Sequence, residues 1–208
     1  MPDGNILLVS KDSDEGVTVS PLNPVRLGAL GALLAGVTWI GLGFVAAATI
    51  NGRRPEILGL TVLGDTLYLV ALVSTLAGIV GLHFRQAPSY GKLGTTGFLA
   101  AFTGIVLLLV GLMISFLVGH TFGLALLDPA LGLGLWCTLV GLVLLGAATW
   151  RLRALPRWCG VLLIVCIPFA IALGDYGGGI VLGLAWLALG YALLSHHDVS
   201  ALLRTRRR

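Results

Sequence analysis

The chain has 208 residues, of which 57% are hydrophobic and only 11% charged, with a mean hydropathy of +1.00. Soluble domains carry roughly 25% charged residues, so the composition excludes an ordinary water-soluble globule and predicts helices in lipid. The formal charge of +4 does not point to nucleic acid, because the basic residues sit at helix ends and in the terminal cluster Arg204, Arg206, Arg207 and Arg208, where they set topology or meet anionic headgroups.

Residues 1–24 are the one soluble-looking stretch, with Lys11, Asp12, Asp14 and Glu15 close together and Pro21 and Pro24 closing it. The first thirty residues hold no basic leader and no small-residue cleavage site, so no removable signal peptide is expected and the first spanning helix should direct insertion. That helix is predicted over about Val25–Ile50 and ends at the turn residues and charges of Asn51–Glu56. The second is predicted from Ile57 or Thr61 to Phe84, followed by a tight basic loop from Arg85 to Lys92. The third covers about Leu93–Gly119, and His120–Pro129 reads as a loop without Lys or Arg. The fourth runs from about Ala130 to Trp150 and stops at a second basic turn, Arg151–Arg157. The fifth and sixth, about Trp158–Leu173 and Ile180–Leu194, form a short hairpin joined by Gly174–Gly179, and residues 195–208 form a basic tail.

Orientation follows from counting. With the N-terminus inside, Lys11, Arg26, Arg85, Lys92, Arg151, Arg153, Arg157 and the four terminal arginines are cytoplasmic, and of the 13 basic residues only Arg53 and Arg54 lie outside. That split obeys the positive-inside rule. The expected fold is an all-α, polytopic bundle of six transmembrane helices over residues 25–194, with both termini in the cytoplasm, in the cell (plasma) membrane.

The 30 glycines are ordered. Small residues recur every seven positions: Gly36 and Gly43; Gly64, Ala71 and Gly78; Gly97, Gly104 and Gly111; Gly134 and Gly141; Gly183 and Gly190. A seven-residue step drifts only ~20° around a helix, so each set forms one stripe along which a neighbouring helix can approach closely. Phe84–Pro88 and Trp150–Pro156 also echo each other, as the shared grammar of a cytoplasmic turn or a duplicated hairpin.

Polar residues gather at the predicted outer side: Glu56, Asp65, His120, Asp128 and Asp175, with Tyr68 and Tyr176 nearby. Ionisable groups in a membrane segment are costly and often functional. Asp65 stands out, one turn before Tyr68, on a face shared with Leu72, Leu76 and His83. It reads either as part of a proton or substrate path or as an N-terminal helix residue favoured by the dipole. His120, Asp128, Asp65 and Asp175 have metal-ligand chemistry, but no local motif draws them together, so no metal and no cofactor is expected. Ser115 reads as a packing residue, and Cys137, Cys159 and Cys166 as small buried hydrophobes. The tryptophans Trp39, Trp136, Trp150, Trp158 and Trp186 read mainly as an interfacial belt. No nucleophile–base order, metalloprotease motif, phosphate loop or dinucleotide fingerprint is present.

Leu155-Pro156-Arg157-Trp158-Cys159-Gly160, followed by Gly183-Leu184-Ala185-Trp186-Leu187-Ala188-Leu189-Gly190-Tyr191, resembles a pattern in uncharacterised bacterial multi-helix membrane proteins of high-GC bacteria, the DUF4386-like type. The resemblance covers the last third of the chain and implies six helices, with no known activity. The leading expectation is a non-enzymatic membrane protein acting through helix contacts, as an accessory or structural subunit or as a homo-oligomer. The alternatives are a small transporter or proton-coupled carrier using Asp65 and the outer acidic group, and an intramembrane lipid-modifying enzyme with a cavity reaching Asp65 or His120.

Overall fold

The computed structural model describes residues 24–50, 58–86, 91–118, 120–152 and 155–205, with backbone alone at 48–50, 58–62, 115, 117–118, 120–130, 175 and 196–205. The N-terminal segment, the loop carrying Arg53, Arg54 and Glu56, Pro88, Arg153 and the last three arginines lie outside the described residues, as do the side chains of Ser115, His120, Asp128 and Asp175.

Six α-helices follow one another: α1 (Pro24–Ile50), α2 (Leu58–Gln86), α3 (Gly91–Val118), α4 (His120–Leu152), α5 (Arg157–Leu173) and α6 (Gly178–Thr205), with a 3-10 turn over Gly174–Tyr176 before α6. Segments that are apolar on every side have no stripe to turn toward a water-excluding core. They satisfy their backbone amides within each helix, as a lipid solvent demands. Five helices contain stretches long and apolar enough to cross a bilayer: Pro24–Ala47, Leu63–Gln86, Gly91–Ile114, Leu131–Leu152 and Gly178–Ser195. α5 is shorter, at 17 residues, and carries Pro168 in its interior.

Three boundaries differ from the sequence reading. Residues 120–129, expected as a loop, are the first turns of the 33-residue α4. Their Leu- and Ala-rich run, Leu124-Ala125-Leu126-Leu127, favours helix, which outweighs Asp128 and Pro129. Gly178 and Gly179 belong to α6, which lasts 28 residues rather than ending near Leu194. The α5–α6 turn is compressed to the residues where glycine is required: Gly174 and Gly177 have φ of 48° and 128°, a region that side chains with a Cβ rarely enter.

The helices form a closed ring. Each packs against its successor and α6 returns to α1; the most extensive contacts are α3 with α4 and α1 with both α2 and α6. Every one of these pairs is antiparallel, which the facing residues show directly. Gly28 and Gly81 abut between α1 and α2, with Gly31 against Ala77 further on. Gly36 meets Gly183 and Gly43 meets Gly179 between α1 and α6. Gly97 lies against Gly141 and Leu145, Gly104 against Thr138 and Gly134, and Gly111 against Leu131, between α3 and α4. Gly146 meets Gly160 between α4 and α5, and Gly190 lies on Leu33. Gly78 rests on Ala32 and Trp186, and Ala71 is fully buried. Among the described residues, a Cβ on Gly64 would meet only the Val45 side chain, at 4.0 Å.

One end of the ring carries Arg26, Arg85, Lys92, Arg151 and Arg157 and is called here the basic end. The largest wholly buried side chains, among them Ile79, Leu82, Gln86, Leu145, Thr149, Leu189 and Leu193, all lie between mid-bundle and that end. These side chains fill the interior of the basic half. The other half holds a cavity.

Candidate functional site: a cavity in the open half of the bundle

All six helices line this cavity, whose volume is about 260 Å³. It starts at mid-bundle, on a floor formed by Thr75, Ile105, Leu142 and Trp186, and runs to the α5–α6 turn at Gly174 and Gly178. Leu108 and Leu135 contribute the wall from α3 and α4, and Ile167 and Ala170 the wall from α5. Two features of the sequence shape it. Gly43, Gly178 and Gly179 line it with backbone alone, because a Cβ on any of them would run into the backbone of a neighbouring helix. Pro168 lacks the amide that would bond Ile164, and its ring disturbs regular helix there, next to the wall residue Ile167 and one turn before Ile171.

The polar content of the lining is small and placed. Trp39 on α1 donates its indole N–H to Thr75 Oγ1 on α2 over 3.1 Å. The Trp39 ring meets Tyr68 edge-on, with centroids 5.7 Å apart and planes at 87°, a favourable aromatic arrangement. Across the cavity, Thr138 donates to the Gly134 carbonyl of its own helix at 2.8 Å. Among the described residues, no carboxylate, imidazole, ammonium or guanidinium group lines the cavity. The described lining can therefore shelter an uncharged apolar molecule and offer it hydroxyl groups.

Of the residues singled out from the sequence, Tyr68 lines this cavity and Asp65 lies one helical turn from it, half-buried on α2. Asp65 is not an N-terminal helix residue. α2 begins at Leu58 and has no acidic residue in its first turn, so Asp65 sits two turns in, beyond the reach of the helix-end field. The backbone positions of His120 and Asp128 on α4 and of Asp175 in the 3-10 turn fall in the same half of the bundle, and their side chains lie outside the described residues. Among the described residues, no three His, Cys, Asp or Glu side chains come together as a metal site would require. The face expected to run from Asp65 to His83 divides. Tyr68, Leu72 and Thr75 look into the cavity, whereas His83 stacks on Phe98 of α3, with centroids 4.0 Å apart and planes at 21°.

The tryptophans also divide. Trp136, Trp150 and Trp158 are exposed on the outside of the bundle, but Trp186 is 2% exposed and Trp39 is half-buried over the cavity. An interfacial belt does not describe these last two. Their signal lay in their position: each sits near the middle of its apolar run, at a depth a belt does not reach. Thr75 and Thr138 were equally visible as hydroxyls deep inside apolar helices.

No family model, no curated protein and no solved structure matches this chain.

Proposed function

We propose that this chain is a six-span protein of the cell membrane, with both termini in the cytoplasm, that holds a small uncharged hydrophobic molecule in the cavity between its helices. The observation that carries the reading is a cavity walled by all six helices, above a floor of buried side chains. Binding sites are concave and mostly apolar, with a few placed polar groups. The lining of Trp39, Tyr68, Thr75 and Thr138 among aliphatic side chains has that make-up.

The sixth span is α5. Its 17 residues reach about 26 Å, a few ångströms short of a ~30 Å hydrocarbon core, a mismatch that local thinning of the bilayer accommodates at modest cost. Val161, Val165 and Phe169 on its outer side are exposed, which suits lipid and not water. The orientation rests on the basic end facing the cytoplasm, so the cavity faces the outer leaflet.

The seven-residue rows of small residues supported an accessory subunit or homo-oligomer in the sequence. Nearly all of them lie against helices of the same chain, so their argument for a partner weakens and the cavity becomes the stronger support. A carrier remains compatible with the same cavity, with Asp65 one turn from its Tyr68 wall.

The test uses the protein in lipid nanodiscs, with Trp136, Trp150 and Trp158 replaced by Phe so that emission comes from Trp39 and Trp186. A small brominated benzene should quench that emission with a saturable component. In the variant Ala46→Phe/Ala170→Phe, which fills the cavity from α1 and α5, quenching should rise only linearly, as it does for a probe dissolved in lipid. Absence of saturation in the unfilled protein would overturn the reading.

A further inference from the structure

Thr75 is turned away from the usual habit of a helical threonine. A buried Thr hydroxyl commonly donates to a carbonyl three or four residues back. Thr38 does so to Leu34 and Ala35, Thr138 to Gly134, and Thr149 to Leu145. Thr75 Oγ1 instead accepts the Trp39 indole N–H at 3.1 Å. A hydroxyl has one proton and two lone pairs, and an indole N–H can only donate. The bond to Trp39 therefore occupies a lone pair and leaves the Thr75 proton unspent, in a residue 5% exposed on the floor of the cavity.

We propose that the cavity's ligand is an uncharged hydrophobe bearing a carbonyl-type oxygen, a small quinone or cyclic ketone, and that this oxygen accepts the Thr75 hydroxyl proton. The proposal deepens the reading of the cavity as a binding site and rests on it. A plain hydrocarbon would leave a buried donor unanswered, which is costly. An anion would find no cation among the described lining residues. The Thr138 proton is already committed to Gly134, so of the two threonines Thr75 is the donor, and Tyr68 supplies a second hydroxyl nearer the mouth.

Size and shape narrow the class. A cavity of ~150 Å³ accepts benzene, so about 260 Å³ takes one substituted ring or a ring with a short chain. Trp39, Tyr68 and Trp186 surround that volume with flat aromatic surfaces. Trp39 thus has two tasks: it bounds the ligand space, and it holds Thr75 in the orientation that offers a proton.

The test compares two probes of equal size, a short-chain alkyl benzoquinone and the matching alkylbenzene, each displacing the brominated benzene from the protein in nanodiscs. Concentrations are expressed per mole of lipid, so that partitioning cancels. The quinone should displace the probe about five- to tenfold more effectively than the alkylbenzene. Thr75→Val should reduce that ratio to near one, and Thr75→Ser should preserve it. Thr75→Val also deprives the Trp39 N–H of its acceptor, so unchanged displacement by the alkylbenzene is the control for an intact cavity. Should that control fail, the ratio kept by Thr75→Ser decides: a ratio near one there overturns the proposal, and a retained preference supports it. Equal displacement by both probes in the unmodified protein overturns the proposal while leaving the cavity a binding site. No displacement by either removes the binding site itself.

Discussion

Gln86, the last residue of α2, donates from Nε2 to Thr149 Oγ1 on α4 over 3.0 Å, and both side chains are wholly buried. The Thr149 hydroxyl has the Leu145 carbonyl at 2.8 Å and Gln86 Oε1 at 3.2 Å within reach of its single proton. This clasp closes the basic end of the ring between two helices that are not neighbours in it. A buried donor or acceptor that loses its partner bears the full cost of desolvation, about 1–3 kcal/mol. Thr149→Val should therefore destabilise the bundle by about that amount, because it strands the Gln86 amide. Gln86→Leu combined with Thr149→Val should cost less than the two single changes added together. Denaturation in mild detergent measures this; additive costs would mean that the clasp contributes nothing as a pair.

Close helix approach at Gly28 and Gly81 gives a second expectation. A methyl group on either residue would overlap the Cα of the other, so α1 and α2 would have to separate. Gly28→Ala should lower stability by about 1–3 kcal/mol, the usual cost of overfilling a packed site. Gly132 on α4 is the control, because a Cβ there meets nothing within 4 Å among the described residues. Gly132→Ala should be neutral or should stabilise by up to ~1 kcal/mol through reduced backbone freedom. Equal melting temperatures for the two variants would dismiss the close-packing account.

These two features mark where sequence reasoning succeeded and stopped. Helix number and approximate span were legible, because apolar runs between Arg85, Arg151 and the glycine turn have one stable form in lipid. The periodic placement of Gly36, Gly97 or Gly141 was legible too, since a helical stripe is a one-dimensional pattern. Which helix each stripe would meet was not legible, because short antiparallel connections alone do not say that α6 closes on α1. Gln86 was read as part of a loop, since Pro88 two positions later signalled a break. The pairing of Trp39 with Thr75 joins residues 36 positions apart, and no local spacing encodes it. The cavity is a property of the whole ring, lined by residues of all six helices, and no single helix reveals it.

The proposed orientation makes a direct chemical prediction. In cells expressing a Cys137→Ser background, Gly52→Cys should react with a membrane-impermeant thiol reagent added from outside. Ser13→Cys and Ser200→Cys should react only after the cells are opened. The native thiols Cys159 and Cys166 are buried and should contribute little to either signal. Labelling of Ser200→Cys in intact cells would place the C-terminus outside and reverse the leaflet that the cavity faces.

Asp65 separates a passive binding protein from a proton-coupled carrier. It is half-buried on α2, outside the cavity lining, and one turn from Tyr68, which lies within it. An uncharged ligand held by Thr75 and aromatic rings gains no direct stabilisation from a carboxylate outside that lining. Asp65→Asn keeps the shape of the side chain and removes its charge, so displacement of the brominated probe should stay within about twofold of the unmodified protein, a few tenths of a kcal/mol. Coupled carriage demands something else, since the carboxylate would then exchange a proton on each cycle. Liposomes with an imposed pH gradient distinguish the cases: ligand accumulation in the unmodified protein, lost in Asp65→Asn while binding persists, assigns Asp65 to coupling. If binding itself falls by an order of magnitude in Asp65→Asn, the carboxylate acts on the ligand at the cavity mouth, and the account of an uncharged site without ionic help fails.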